Sequence, residues 1–136
     1  MEFYMYISMF LLFLAVIMIV LLNLSSTEVG KYDSYTIEET AGMFADIIHS
    51  SYVAGNGFNG SFKVPTDIDG LNYTTYFTNG YVIVTQHGTK NLTAVRPLVT
   101  EDIINATGHT AFSYTSREMS GRIYVLNNLG QLNITS

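Results

Sequence analysis

The sequence predicts an α+β protein in which one long N-terminal helix, hydrophobic and then amphipathic, packs on a small C-terminal antiparallel β-sheet domain. Three observations predict it. Residues 3–22 are an uninterrupted apolar run without a charged side chain. Residues 23–54 place apolar side chains at the spacing of one helix face. Residues 58–136 consist of short Tyr- and Thr-rich runs separated by turn residues, which is typical of strands and hairpins.

The apolar run, FYMYISMFLLFLAVIMIVLL, contains Ser8 as its one strongly polar side chain. A helix rises about 1.5 Å per residue, so the run makes roughly 30 Å of helix, enough to cross the hydrocarbon core of a bilayer. A helix that is apolar all round must be buried in something. The sequence therefore predicts a hydrophobic assembly or transmembrane helix over residues 1–22, surrounded by lipid, by copies of itself, or by each in turn.

The helix is expected to continue as an amphipathic segment over residues 23–54. Its apolar side chains recur at spacings of four and three residues, which places them in a stripe on one helix face. We expect this stripe to pack against a sheet. The stripe comprises Ile37, Ala41, Phe44, Ile48 and Tyr52, widened by Met43 and Ile47. Helix propensity is weakest around Gly30, so the helix either continues or bends there. Gly55 and Gly57 provide the stop.

The β domain is expected to hold five to six antiparallel strands with one face against this stripe. Asn79-Gly80, between two Tyr- and Thr-rich runs, predicts a hairpin. Pro97 favours an edge position or a strand end. Residues 101–109 look irregular. Seven segments are candidates for these five to six strands: 61–64, 72–78, 81–86, 92–99, 111–115, 121–126 and a short last one at 131–135.

Composition excludes several classes of function. The net charge is −5, with six Lys and Arg against eleven Asp and Glu and no basic run, so no nucleic-acid binding is expected. Without cysteine there is no disulfide, thiol nucleophile or Cys-based zinc site. The three histidines lack ligand spacing, and Asp67-Ile68-Asp69-Gly70 lacks the later ligands of a calcium loop and predicts a polar turn. No nucleophile motif occurs. We therefore predict no enzyme, metal or cofactor.

The number of Asn-x-Ser/Thr tripeptides indicates the compartment in which the protein functions. Chance would give about two Asn-x-Ser/Thr acceptor sites in a chain of this composition. The chain has six, which begin at Asn23, Asn59, Asn72, Asn91, Asn105 and Asn133. An extracellular surface with N-linked glycans explains the excess. A β surface rich in Thr and Asn, which produces the tripeptides as a by-product, is the alternative.

The N-terminal flank is unusual for a simple anchor or a secretory signal. The first cation is Lys31, after the apolar run, and Glu2 precedes the run. Two explanations fit the missing basic flank. Either a basic leader has been removed by processing, or the start of the chain is not the start of the gene. An acid at the end of such a helix is costly unless it stays at the interface or meets a cation. Glu2 therefore lies in the headgroup region or pairs between subunits.

Glu2-Phe3 at the head of an apolar helix with no cation nearby, followed by an amphipathic half and a Thr- and Tyr-rich β domain, resembles the archaeal type IV pilins with class III signal peptides. Residues 45–58, 62–65, 70–74 and 121–125 also resemble small archaeal pilin-like secreted proteins. One feature departs from the family, whose processing signature has Gln and Ser before Glu-Phe. Here Met1 alone precedes Glu2.

The resemblance implies a structural subunit of a pilus, an extracellular filament for surface adhesion. The prepilin would wait in the membrane, be cut by a prepilin peptidase and be moved by the pilus assembly machinery into a helical homo-oligomer with these helices at its core. Glu2 and Phe3 would act in assembly, with Glu2 neutralising the N-terminal amine of a neighbouring subunit. The alternatives are a membrane-anchored extracellular binding protein or minor pilin that forms no filament, and a cell-surface hydrolase.

Overall fold

The computed structural model describes the backbone of residues 2–136 and the side chains of residues 4–20 and 36–136. It contains two helices and two four-stranded sheets. The helices are α1 (Glu2–Val53) and α2 (Ser116–Met119). The strands are β1 (Asn59–Lys63), β2 (Tyr73–Thr78), β3 (Tyr81–Gln86), β4 (Leu92–Pro97), β5 (Ile103–Asn105), β6 (Phe112–Thr115), β7 (Arg122–Asn128) and β8 (Gln131–Thr135).

The predicted fold class was wrong. Instead of one antiparallel sheet, the strands form sheet 1, in the order β1-β7-β8-β5, and sheet 2, in the order β4-β3-β2-β6. Sheet 1 is not purely antiparallel, because β5 runs parallel to β8. Strand β5 lies in the segment expected to be irregular, and α2 was not expected at all. The protein is therefore a mixed α and β structure rather than a helix on a single sheet.

The chain divides into two compact units, Met1–Asp33 and Ser34–Ser136. The described residues of the first unit belong to α1. The second unit contains the rest of α1, all eight strands and α2. Among the residues that the structure describes, no helix combines the length and the apolar character needed to cross a membrane.

The core of the second unit draws on α1 and on both sheets. Phe44 on α1 meets Tyr73 and Phe77 on β2 edge-on, with ring centroids 6.4 and 5.9 Å apart. Phe77 stacks on Phe112 of β6, and the Tyr114 hydroxyl donates to the Ile134 carbonyl of sheet 1 at 3.0 Å. Sheet 1 contributes its alternate inward residues, Ile103, Ile123, Val125, Leu132 and Ile134. One core therefore joins the helix to two sheets.

Most of the predicted helix stripe lies in this core. Ile37, Ala41, Phe44 and Ile48 are at most 1% exposed, and Ile47 is buried as well. Tyr52 is 40% exposed, so its place in the stripe was wrong. Ser51 takes that place and donates its hydroxyl to the Ile47 carbonyl at 2.7 Å, which satisfies a buried polar group inside its own helix.

Asn127 on β7 closes the C-terminal end of α1. Its buried side-chain amide donates to the carbonyls of Ser51 at 3.0 Å and Tyr52 at 3.3 Å. Its side-chain oxygen accepts from the Gly130 N–H at 3.0 Å. Its backbone donates to the Phe58 carbonyl and accepts from the Gly57 N–H, both at 2.8 Å. The last carbonyls of a helix lack partners within the helix, and Asn127 supplies one from a strand.

Replacing Asn127 with Ala should lower the free energy of unfolding of the full chain in detergent by about 3 kcal/mol, because buried backbone groups lose their partners. Thermal and denaturant unfolding, followed by near-ultraviolet circular dichroism, measures the loss. Asn128→Ala is the matched control, since Asn128 is exposed on the same strand, and it should stay within about 0.5 kcal/mol of the wild type. Equal losses in the two variants would contradict this role.

Candidate functional site

The apolar helix surface, residues 4–20 of α1, is the largest exposed apolar feature of the described chain. Its large apolar side chains are all between 42 and 77% exposed, from Ile7 at the low end to Tyr4 at the high end. Contiguous exposed apolar patches of this kind mark protein or membrane interaction sites. Because all sides of the helix are apolar here, the surface needs cover in every direction around the helix axis.

A groove of about 420 Å³ lies along this surface. Met9, Phe10, Leu12, Phe13 and Val16 line it. Residues 9, 12, 13 and 16 recur at the spacing of one helix face, so their side chains form a ridge and a groove of the kind that a second helix packs into. The groove is an open depression between apolar side chains of α1.

The two predicted assembly residues lie outside the described side chains. The backbone of Glu2 and Phe3 begins α1, but the structure describes neither side chain. The side chain of Asn23, the first predicted glycosylation site, is outside the described residues as well. The roles assigned to these three residues stay predictions.

The other five predicted glycosylation sites lie in the second unit, in three different environments. Asn72 and Asn91 are exposed and directly precede β2 and β4. Among the described residues, neither side-chain amide has a hydrogen-bond partner. The His87 N–H donates to the Asn72 carbonyl at 2.9 Å, so the pairing of β2 with β3 extends to Asn72. Both side-chain amides are therefore open to solvent.

Asn105 lies at the end of β5 and uses its side-chain oxygen within its own loop. That oxygen accepts from the N–H groups of Thr107 at 3.0 Å and His109 at 2.9 Å. It also accepts from the Thr107 hydroxyl at 2.8 Å. Asn105 therefore organises a turn, a common local role of asparagine.

Asn59 and Asn133 flank Leu126 on the outer face of sheet 1. The register pairs Asn59 with Leu126 and Leu126 with Asn133. Both asparagines help to line a depression of about 220 Å³ together with Tyr124 and Leu126. Asn133 lies on an interior strand, and its side-chain oxygen is buried without a hydrogen-bond partner. Its environment is the least open of the five.

The histidines and the acidic loop form no cluster. Among the described residues, no three His, Asp or Glu side chains stand close enough together to hold a metal ion. Residues 67–70 form a tight turn, in which the Asp67 carboxylate accepts from the Gly70 N–H at 3.0 Å. Asp69 and Gly70 take positive φ angles of 51° and 74°, which closes the pairing of Ile68 with Leu71. This is the polar turn that the sequence predicts.

The described residues of the second unit include an exposed ion pair and groups whose pKa values are shifted by hydrogen bonds, burial or a nearby charge. Arg96 and Glu38 form an exposed ion pair at 3.5 Å, of a kind worth at most about 1 kcal/mol. Hydrogen bonds from the backbone and hydroxyl of Thr115 hold the pKa of the Glu118 carboxyl below its ordinary value. Burial, and then the nearby Asp67 carboxylate, raises the pKa of the Tyr73 hydroxyl well above its ordinary value.

No protein-family model, no curated protein and no solved structure matches this chain. The resemblance to archaeal type IV pilins therefore depends on the residues quoted for it.

Two structural features of the second unit were missed. The predicted strand 121–126 stopped short of Asn127, which lies within β7 and holds the end of α1. Leu129 is 83% exposed at a positive φ of 54°, and its N–H donates to the Asn56 side chain at 2.9 Å. Asparagine shortly before glycine is typical of a turn, and Asn127 lies three residues before Gly130, so the sequence signals the turn and gives no sign of the bonds to the helix end.

The stability of the second unit should fall as pH rises above the ordinary tyrosine pKa of about 10, because unfolded Tyr73 ionises there while folded Tyr73 keeps its proton. Tyr73→Phe should remove this part of the decline and cost about 1 kcal/mol at neutral pH, since the hydroxyl donates to the Pro65 carbonyl at 2.6 Å. Denaturant unfolding from pH 7 to pH 11 measures both effects. In Tyr76→Phe, a change on the outer face of the same strand, the alkaline decline should persist; its disappearance there too would contradict the assignment to Tyr73.

Proposed function

We propose that this chain is a structural, non-enzymatic subunit of an archaeal type IV pilus. It polymerises through its apolar N-terminal helical segment into an extracellular filament that serves surface adhesion. Before assembly the segment lies in the cell membrane, and a prepilin peptidase and the pilus assembly machinery act on the chain. N-linked glycans cover part of the outer surface.

The observation that carries this proposal is the exposed apolar helix surface, residues 4–20. Each large apolar side chain kept out of water contributes about 1.5–3 kcal/mol, so the segment is stable in lipid or against other apolar segments. Lipid chains and neighbouring helices are almost equally apolar surroundings, and close packing decides between them. A segment of this kind can therefore be stored in a membrane and later transferred to a filament core.

The groove lined by Met9, Phe10, Leu12, Phe13 and Val16 supports packing between identical helices. A lipid tail adapts to any apolar surface, whereas a ridge and groove at helical spacing favour a helix as the neighbour. The excess of Asn-x-Ser/Thr sites supports an extracellular position for the second unit. The residues that resemble archaeal pilins support the class of filament.

A second candidate is a membrane-anchored extracellular binding protein, or a minor pilin that does not itself form the filament. The same exposed apolar surface favours it, because a permanent anchor needs apolar residues and no partner helix. The two candidates differ in what surrounds residues 4–20 at the end of biosynthesis.

Electron microscopy of the full chain, released gently from native cells, distinguishes the candidates. We expect helical filaments in which the β domains surround a core of packed helices. Filaments should persist after dilution below the critical micelle concentration, because helices rather than detergent cover the apolar surface. Discrete detergent-bound particles in cells that carry the intact chain would overturn the filament proposal and favour the anchored protein.

Glu2→Gln should strongly reduce the filament yield, because the variant removes the charge that would neutralise a neighbouring amine, as the pilin resemblance implies. Membrane insertion should be unchanged, since a neutral side chain is easier to bury than a carboxylate. Carbonate-resistant membrane association and filament yield are measured on the same cells. Glu39→Gln, which changes an exposed acid in the second unit, is the matched control and should leave both unchanged. Normal filament yield in Glu2→Gln would contradict the role of Glu2.

A further inference from the structure

Two of the predicted glycosylation sites lie next to each other on one face of sheet 2. Tyr73 pairs with Gln86, and Gln86 pairs with Leu92, so Asn72 and Asn91 come one residue further on, with His87 between them. Adjacent strands are about 4.8 Å apart, which places the two asparagine backbones about 10 Å from each other. Sites that are far apart in the sequence are therefore neighbours at one end of the sheet.

The threonines of the two sites point to the outer face of that sheet. Thr74 pairs with Thr85, and Thr85 pairs with Thr93, so the three form one row across β2, β3 and β4. The Thr85 and Thr93 hydroxyls are 3.2 Å apart, and the Thr74 hydroxyl lies 2.7 Å from the His87 ring. Asn72 and Asn91 directly precede β2 and β4, and continuing the strand alternation by one residue puts them on the same outer face as their threonines.

The next row on this face is apolar. Tyr76 pairs with Ile83, and Ile83 pairs with Val95. Tyr76 is 39% exposed and Val95 is 51% exposed. The opposite face of the same strands is buried, including Phe77, Val82 and Val84. The row Tyr76/Ile83/Val95 is therefore an apolar strip on the solvent side, directly next to the threonine row.

We propose that Asn72 and Asn91 both carry N-linked glycans and that these two glycans cover the apolar row Tyr76/Ile83/Val95. The inference rests on the proposed function for its extracellular location. Pyranose rings present apolar C–H faces that pack on an aromatic ring and on aliphatic side chains, while their hydroxyls stay in water. The attachment points and the row share one face, with the threonine row between them, so each glycan has to extend across four residues of strand, about 13 Å, to cover the apolar row.

The modification is a group transfer from a lipid-phosphate-linked oligosaccharide. The side-chain nitrogen of the asparagine forms a bond to the anomeric carbon of the sugar. The bond between that carbon and the phosphate oxygen breaks, the lipid phosphate leaves with the electron pair, and the amide nitrogen loses one proton. Asn72 and Asn91 suit this chemistry because their amides are exposed and bind nothing else among the described residues.

Asn133 provides the contrast within the same chain. It also lies in an Asn-x-Thr tripeptide, but its side chain is on an interior strand next to Leu126, with its oxygen buried. Asn133 is only partly exposed, so a glycan on it has less open surface around its attachment point than one on the exposed Asn72 or Asn91. We therefore expect the peptide that contains Asn133 to be unmodified where those of Asn72 and Asn91 are modified.

Glycopeptide mass spectrometry of the full chain from native cells tests the sites. Thr74→Val and Thr93→Val remove one acceptor each and keep both asparagines, so each variant should lose the mass of one glycan. Thr74→Ser and Thr93→Ser keep the acceptors and should keep the mass. An unmodified Asn72 or Asn91 in the wild type, or an unchanged mass in either Val variant, would overturn the proposal.

Tyrosine iodination of the detergent-solubilised chain tests whether the two glycans cover the apolar row. Tyr76 should react several-fold faster in the Thr74→Val/Thr93→Val double variant than in the Thr74→Ser/Thr93→Ser variant. Tyr124, which is 46% exposed on the other sheet, is the internal control and should react equally in both. An unchanged rate at Tyr76 would overturn the cover.

Electron microscopy of the same samples separates this inference from the filament proposal. Filaments without glycans at Asn72 and Asn91 would overturn the inference and leave the filament proposal standing. Glycosylated discrete particles would overturn the filament proposal and leave the paired glycans standing.

Discussion

The hydrogen bonds of Asn127 are the constraint on which the second unit depends. One buried residue joins three pieces of chain: its side chain binds the end of α1 and the turn between β7 and β8, and its backbone binds the segment just before β1. Without Asn127, each of these pieces would have backbone groups buried without hydrogen-bond partners. The desolvation penalty of such a group is larger than the net stabilisation that one formed hydrogen bond provides. The helix can therefore end against sheet 1 only where β7 presents this asparagine. Because β7 lies between β1 and β8, the same contact sets the position of α1 on the strand pairs of sheet 1.

The parts of the fold that depend on local signals could be predicted from the sequence. Asn79-Gly80 and the alternating residues around it identify β2 and β3, and the stripe from Ile37 to Ile48 identifies the buried face of α1. Sheet 1 depends on long-range pairing, such as Phe62 with Ile123 and Ile103 with Leu132. No local pattern encodes such partners, because any strand of matching alternation could pair with them. The single predicted sheet was wrong for this reason.

The candidate site also combines features that local sequence predicts with features that depend on strand order and register. Hydrophobicity is a property of each residue, so the apolar helix surface could be predicted from the sequence before its exposure was known. The Asn-x-Ser/Thr tripeptides are local as well, but they do not distinguish Asn72 from Asn133. That difference comes from strand order and register, which place one at an open end of sheet 2 and the other within sheet 1. The adjacency of Asn72 and Asn91 required the register of three strands.

The two exposed apolar surfaces differ in the cover that suits them. Residues 4–20 are apolar around the whole helix, so a cover on one side leaves the others in water. The strip on sheet 2 is one row wide and borders a row of threonines, so a flexible, amphipathic cover on one side suffices. Charged residues make up 12% of the chain, against about 25% in typical soluble domains, so charge alone supplies little surface hydration. Glycans that extend over the strip from the far side of the threonine row would bury the apolar row and supply hydroxyls at the same time, so sugars rather than charges would hydrate this surface.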